Sequence, residues 1–143
     1  MLQLNLSYFQ FQEDFMTTST LVRRLPLILV VDGNPEIVAM YQARLEDIAQ
    51  IVPATSVDRA MDAFARNPPF DAIVMDDLAD ERGVNPKTFD LTREFRGIFS
   101  GPIVITSTLH HSQLMLSAGG KEAQSYICTK LNLVDRLREI LNL

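Results

Sequence analysis

LILVVDGNPEI, residues 27–37, is the stretch whose reading decides the fold. Leu27 to Val31 is an unbroken aliphatic run with no polar alternation, the mark of a strand buried on both faces. Asp32 ends the run. Asn34-Pro35 then supplies an N-cap and a proline at the first helical position. Ile37, Met40, Tyr41, Leu45 and Ile48 follow at helical spacing. A buried strand thus feeds an amphipathic helix.

The same alternation continues outward from this unit. Ile51–Ala54 reads as a short second strand, and Pro53 within it suits an edge position. Ser56 can cap a second helix with Val57, Ala60, Met61 and Phe64 on its apolar face, stopped by Pro68-Pro69. Ala72–Met75 is the third strand. Asn85-Pro86 repeats the cap-and-proline pair and opens a helix expected to turn Leu91, Phe95 and Ile98 inward. Ile103–Ile105 is the fourth strand, and Leu109–Ala118 a short helix ended by Gly119-Gly120. Tyr126–Cys128 is the fifth strand, and Leu133, Leu137, Ile140 and Leu141 face a last helix. Strands and helices in strict alternation predict an α/β domain, a parallel sheet with right-handed crossovers.

Composition fits one such domain. The chain has 143 residues, of which 47% are hydrophobic and 22% charged, an ordinary globular mixture. Residues 1–25 stand apart from a domain over residues 26–143. Apolar and polar residues alternate from Leu2 to Tyr8 and lose register at Phe9, so this extension reads either as a contact-making arm or as a dispensable leader. Met16 heads a second candidate start. The net charge is −5 and lysine occurs only at Lys87, Lys121 and Lys130, which gives no basic face for direct nucleic-acid binding. Cys128 is the sole cysteine, which excludes an internal disulfide and fits a reducing compartment. The longest apolar run, Leu25 to Val31, is too short to span a bilayer, and the N-terminus lacks the basic region of a secretory signal. These features predict a cytoplasmic protein.

In a sheet of this kind, ligands bind outside the carboxyl ends of the strands. The first strand ends in Asp32, the third in Asp76-Asp77, the fourth in Thr106-Ser107-Thr108 and the fifth in Thr129-Lys130. If the first and third strands are neighbours, carboxylates converge with an ammonium and a hydroxyl beside them. Such carboxylates repel one another unless a lysine or a divalent cation neutralises them, and oxygen-loving Mg²⁺ is the natural guest. A carboxylate placed between Mg²⁺ and lysine suits in-line transfer of a phosphoryl group onto its own oxygen. The simpler readings are a turn or solvated role for Asp71 and Asp77, a solvated helix start for His110-His111, and a small core residue for Cys128.

These residues resemble the receiver domains of two-component response regulators. The resemblance covers residues 26–143 and rests on LILVVDGNPEI (27–37), FDAIVMD (70–76), TFDLTREFR (88–96), PIVITST (102–108) and YICTK (126–130), in the family's order and spacing. It implies a flavodoxin-like, doubly wound, five-stranded parallel sheet of order 2-1-3-4-5 with five helices. It further implies Asp76 as phosphoacceptor, Ser107 as switch hydroxyl and Lys130 as its paired lysine. Asp32, Asp76 and the backbone carbonyl of Leu78 would hold Mg²⁺.

The sequence departs from the family pattern in four places. Gly33 stands where a second acid is usual, so Mg²⁺ binding is expected to be weak; Asp77, Asp80 or Glu81 are the candidates to compensate. The stretch between Asp76 and the next helix is long and lacks the usual proline-and-glycine turn. Leu131 replaces the proline after the lysine, and a cis peptide there would cost about 2.5–4 kcal/mol. A trans bond is therefore expected, with the ammonium aimed differently and further from Asp76 than in family members that carry the proline. Finally, the aromatic is Tyr126, one position earlier than usual, which puts the ring on the opposite sheet face from Ile127.

The leading expectation is a stand-alone receiver, a relay rather than an enzyme. It would take its phosphoryl group from a sensor histidine kinase or a phosphotransfer protein and signal to a downstream target by protein contact, with homodimerisation left open. The alternative is a pseudo-receiver, the same fold used as a phosphorylation-independent interaction or dimerisation module. A flavin-binding reading fails on the residues after the first strand, where an acid and Asn-Pro replace the hydroxyl- and glycine-rich loop that a flavin phosphate needs.

Overall fold

The computed structural model describes residues 24–79, 82–83, 85–118 and 125–143. The expectations for residues 1–23, Asp80, Glu81, Gly119-Gly120 and Lys121 fall outside the described residues, as does the side chain of His110. Strands are β1 (Leu27–Val31), β2 (Gln50–Ala54), β3 (Ala72–Met75), β4 (Ile103–Ile105) and β5 (Ser125–Ile127). Helices are α1 (Pro35–Leu45), α2 (Val57–Arg66), α3 (Lys87–Ile98), α4 (Leu109–Ala118) and α5 (Leu133–Leu141). All pairings are parallel, in the order β2-β1-β3-β4-β5.

Two hydrophobic layers follow from the two-residue period of the strands. Leu27, Leu29 and Val31 point to one face, where they pack with Ile73, Met75, Leu91, Phe95, Ile103 and Met115. Ile28 and Val30 point to the other, against Val38, Tyr41, Leu45, Leu133 and Leu137. Helices α2, α3 and α4 therefore cover the first face, and α1 and α5 the second. Pro53 lies on the edge strand, as its missing N–H requires.

Local signals mostly hold. The Asn34 side chain accepts from the amides of Glu36 and Ile37, and Pro35 opens α1. Ser56 accepts from Arg59 to cap α2. At the start of α3 the chain departs from expectation: Asn85-Pro86 forms a turn before the helix, the Asn85 side chain accepts from Lys87, and the helix begins at Lys87. Ile98, expected inward, is 55% exposed. Phe99 takes its place, edge-on to Phe64 at 6.1 Å, while Phe64 lies 5.3 Å from Phe95. Strand β5 begins and ends one residue early, and a single 3₁₀ turn, Lys130–Asn132, precedes α5, capped by Thr129. Asp71 is the turn residue expected, and its carboxylate also accepts the amide of Leu27 at 2.7 Å, which fastens the start of β1.

Phe95 is fully buried and belongs to this aromatic layer. Phe95→Ala is expected to cost about 3–5 kcal/mol in urea unfolding, through lost contact plus the cavity it leaves.

Candidate functional site

The carboxyl ends of β1, β3, β4 and β5 converge as the strand order dictates. The backbone of Asp32 donates to Ala54, that of Asp76 to Val31, and that of Thr106 to Met75, so the three segments leave the sheet together. A groove of about 560 Å³ opens over them, lined by Asp32, Gly33, Asp76, Leu78 and Lys130 among others.

Lys130 dominates this groove. Its ammonium lies 2.8 Å from the Asp32 carboxylate and 3.2 Å from that of Asp76. The Lys130–Leu131 peptide is trans, as expected. The ammonium lies nearer to Asp32 than to Asp76, and it reaches both. A 3₁₀ turn begins at Lys130, and the long lysine stem carries the ammonium to both carboxylates. Asp32 is buried, and its second oxygen accepts the Asn34 amide at 2.8 Å.

Asp76 is turned toward the same lysine, and its other oxygen accepts the Leu78 amide at 3.0 Å. Burial pushes its carboxyl above the ordinary value. Lys130 opposes that shift, while Asp32 and Asp77 add to it by repulsion. Lys130 is itself raised. Burial would lower it, but hydrogen bonding and attraction from Asp32 and Asp76 prevail. Leu78 adopts a left-handed backbone (φ 52°), a costly conformation for a branched residue, of order 1–3 kcal/mol. That turn folds the Leu78 amide back on Asp76 and brings the leucine methyl to 3.7 Å from where a side chain on Gly33 would begin.

Asp77 was expected to be a turn or solvated residue, and the structure corrects this. It is buried, and one of its oxygens accepts from Ser107 Oγ at 2.6 Å and lies 2.6 Å from His111 Nδ1. Burial would raise this carboxyl, but hydrogen bonds from Ser107, the Ala79 amide and His111 together hold it below the ordinary value. An ionised carboxylate only accepts, so His111 Nδ1–H is the donor. One expectation changes with this: His111 is not a solvated helix start but is half-buried against β3's end. Ser107 in this structure donates to Asp77. Strand alternation explains why. Val31 and Met75 lie on the α2–α4 face, so Asp32 and Asp76 come next on the opposite face with Lys130; Asp77 and Ser107 return to the α3–α4 face. The Asp77–His111 contact spans distant segments and left no local pattern to read. Alternation does account for Tyr126, which lies on the α1–α5 face under Arg136 at 5.1 Å, and for Ile127 on the other.

The oxygen donors present fit a hard cation sparsely. Asp32 and Asp76 already share Lys130, Asp77 is engaged elsewhere, and Gly33 contributes no donor. Among the described residues no group of three or more His, Cys, Asp or Glu is gathered to hold a metal ion.

The two raised groups set opposite pH dependences. Asp76 binds its proton more tightly folded than unfolded, so its charge destabilises the fold at neutral pH, and stability returns as pH falls through its raised value. The Lys130 contribution is complete below the unfolded value of 10.5 and fades as pH rises through the higher folded value. At neutral pH, Lys130→Ala is expected to destabilise the domain by about 3 kcal/mol by stranding two carboxylates, and Asp76→Asn to raise the melting temperature. The double mutant should depart from additivity by about 0.5–3 kcal/mol in thermal melts.

No protein-family model and no curated protein matches the sequence. Solved structures do match it. A two-component response regulator from Clostridium difficile is 21% identical, with 82% of this chain and 96% of that one covered and a TM-score of 0.63. A CheY-like response regulator receiver domain protein from Methanospirillum hungatei is 18% identical over 83% and 95% of the two chains, with a TM-score of 0.64. A response regulator from Thermotoga maritima is 21% identical over 84% and 100%, with a TM-score of 0.62. Together with the strand order and helix succession, these likenesses give the chain the CheY-like, flavodoxin-like fold of response-regulator receiver domains.

Proposed function

We propose that this chain is a signal-relay receiver that accepts a phosphoryl group on Asp76. The observation that carries this reading is the Lys130 ammonium held between Asp32 and Asp76 at the mouth of the groove. In the transfer, an Asp76 oxygen attacks phosphorus, a P–O bond forms, and the P–N bond of a phosphohistidine donor breaks. The departing imidazole keeps the bonding pair and takes up a proton. Lys130 compensates the charge that gathers on the phosphoryl oxygens, and its attachment to Asp32 holds it there. Asp76 is the better nucleophile of the adjacent acids, because burial raises its basicity while hydrogen bonds occupy Asp77. Mg²⁺, held by Asp32, Asp76 and the Leu78 carbonyl, would add charge neutralisation at the phosphoryl group.

The partners follow from this chemistry: a sensor histidine kinase or phosphotransfer protein upstream, and a target protein that reads the changed surface downstream. The chain acts as a relay in the cytoplasm rather than as a metabolic enzyme, without direct contact to nucleic acid. Among the described residues no helix is long and apolar enough to cross a membrane. A second reading, the pseudo-receiver, is favoured by one observation: Leu78 packs against Gly33, where a metal-binding acid would otherwise stand.

Two experiments separate these readings. A small acyl-phosphate donor with Mg²⁺ should add a single phosphoryl mass to the protein and none to Asp76→Asn; unmodified parent protein would select the pseudo-receiver. Gly33→Asp has room, since a side chain there meets only ordinary contacts at 3.7 Å and 3.8 Å. It should tighten Mg²⁺ binding at least about tenfold in a calorimetric titration, because a hard cation gains from each added carboxylate.

A further inference from the structure

We propose that Asp77 is a positioning residue that, with His111, latches the Ser107 hydroxyl in the resting state and sets how readily Ser107 reaches a phosphoryl group on Asp76. This rests on the phosphoryl reading above and extends it to a control that the adjacent acid exerts.

The latch is held from every side. The Asp77 carbonyl accepts from the Asn85 amide and from the buried hydroxyl of Thr88, both at 3.3 Å, which anchors its backbone to the start of α3. Its carboxylate accepts from the Ala79 amide through one oxygen, and from Ser107 and His111 through the other. Ser107 leads into α4 and His111 lies in its first turn, where Thr108 also accepts the His111 amide at 3.4 Å. The carboxylate therefore ties the end of β3 to the end of β4 and the beginning of α4.

The arrangement is not that of a nucleophilic triad. There the histidine lies between hydroxyl and acid and takes the hydroxyl proton. Here both donors converge on one carboxylate oxygen, so Ser107 is restrained rather than activated. A hydroxyl bonded at 2.6 Å to a buried anion is not available to a second anion without breaking that bond. A phosphoryl group on Asp76 and the Asp77 carboxylate thus compete for one proton donor. If Ser107 moves, Asp77 keeps His111 and Ala79, so the carboxylate is never left bare and the exchange is open to a modest driving force. His111 acts through Asp77, by keeping the carboxylate aimed at the β4 end.

Beryllofluoride with Mg²⁺ is the probe, a stable mimic of the phosphoryl group on a carboxylate. Its affinity is measured for the parent protein, Asp77→Ala, Asp77→Asn, Ser107→Ala and the Asp77→Ala/Ser107→Ala double variant. Release of the latch should tighten binding by Asp77→Ala roughly tenfold, the worth of one hydrogen bond to a charged group. Asp77→Asn, which keeps the shape and an acceptor, should fall between parent and alanine. The gain should vanish when Ser107 is already alanine. Amide hydrogen exchange at residues 107–112 should rise in Asp77→Ala without any phosphoryl mimic.

Equal gains with and without Ser107 would mean simple removal of a negative charge near Asp76 and would overturn the latch. Binding by the parent with no change in Asp77→Ala or Asp77→Asn overturns the latch and leaves the acceptor reading standing. No beryllofluoride binding by any variant overturns both.

Discussion

The Lys130 ammonium between Asp32 and Asp76 is the constraint on which the site depends. Parallel pairing of β1 with β3 brings two carboxylates to adjacent strand ends whatever the side chains prefer. Without a cation between them, that arrangement would strain the end of the sheet that carries the chemistry. Lys130 arrives from β5, across β4, so its reach also fixes how β5 and the turn after it are seated. A buried pair of this kind adds little net stability, because desolvation offsets the attraction; its value is in orientation. The same lysine makes Asp76 tolerable as an anion, while burial keeps it more basic than an exposed carboxylate.

Asp76 and Asp77 are neighbours in sequence and opposites in environment. One faces a lysine and an open groove; the other is closed in by a hydroxyl, an imidazole and a backbone amide. Period-two alternation is enough to separate them, and the left-handed turn at Leu78 keeps them apart. Backbone strain at that position buys the amide contact to Asp76 and places the Leu78 side chain beside Gly33.

Much of the fold was legible in the sequence, because unbroken aliphatic runs and cap-plus-proline pairs are local signals with local causes. Asp32, Asp76 and Lys130 were legible too, since strand-end residues in a parallel sheet must converge. Ile98 was misread because helical spacing alone does not say where α3 ends, and Phe99 outcompetes it for the aromatic layer. The roles of Asp77 and His111 were beyond sequence reasoning. Their contact joins positions 34 residues apart, which no local pattern in the sequence encodes.

Pro53 has a bearing on how copies of this molecule meet. Gln50 donates to Pro26 and Ala54 accepts from Asp32, so alternate residues of β2 bond inward and Ile51 and Pro53 present their backbones to the outer edge, to which no strand pairs among the described residues. One rung of that edge therefore has no donor to offer an incoming strand. At the far side of the sheet β5 spans three of the described residues, too short a run to template much of a ladder. Among the described residues both margins thus offer little to an incoming strand, which limits the intermolecular growth that open edges invite.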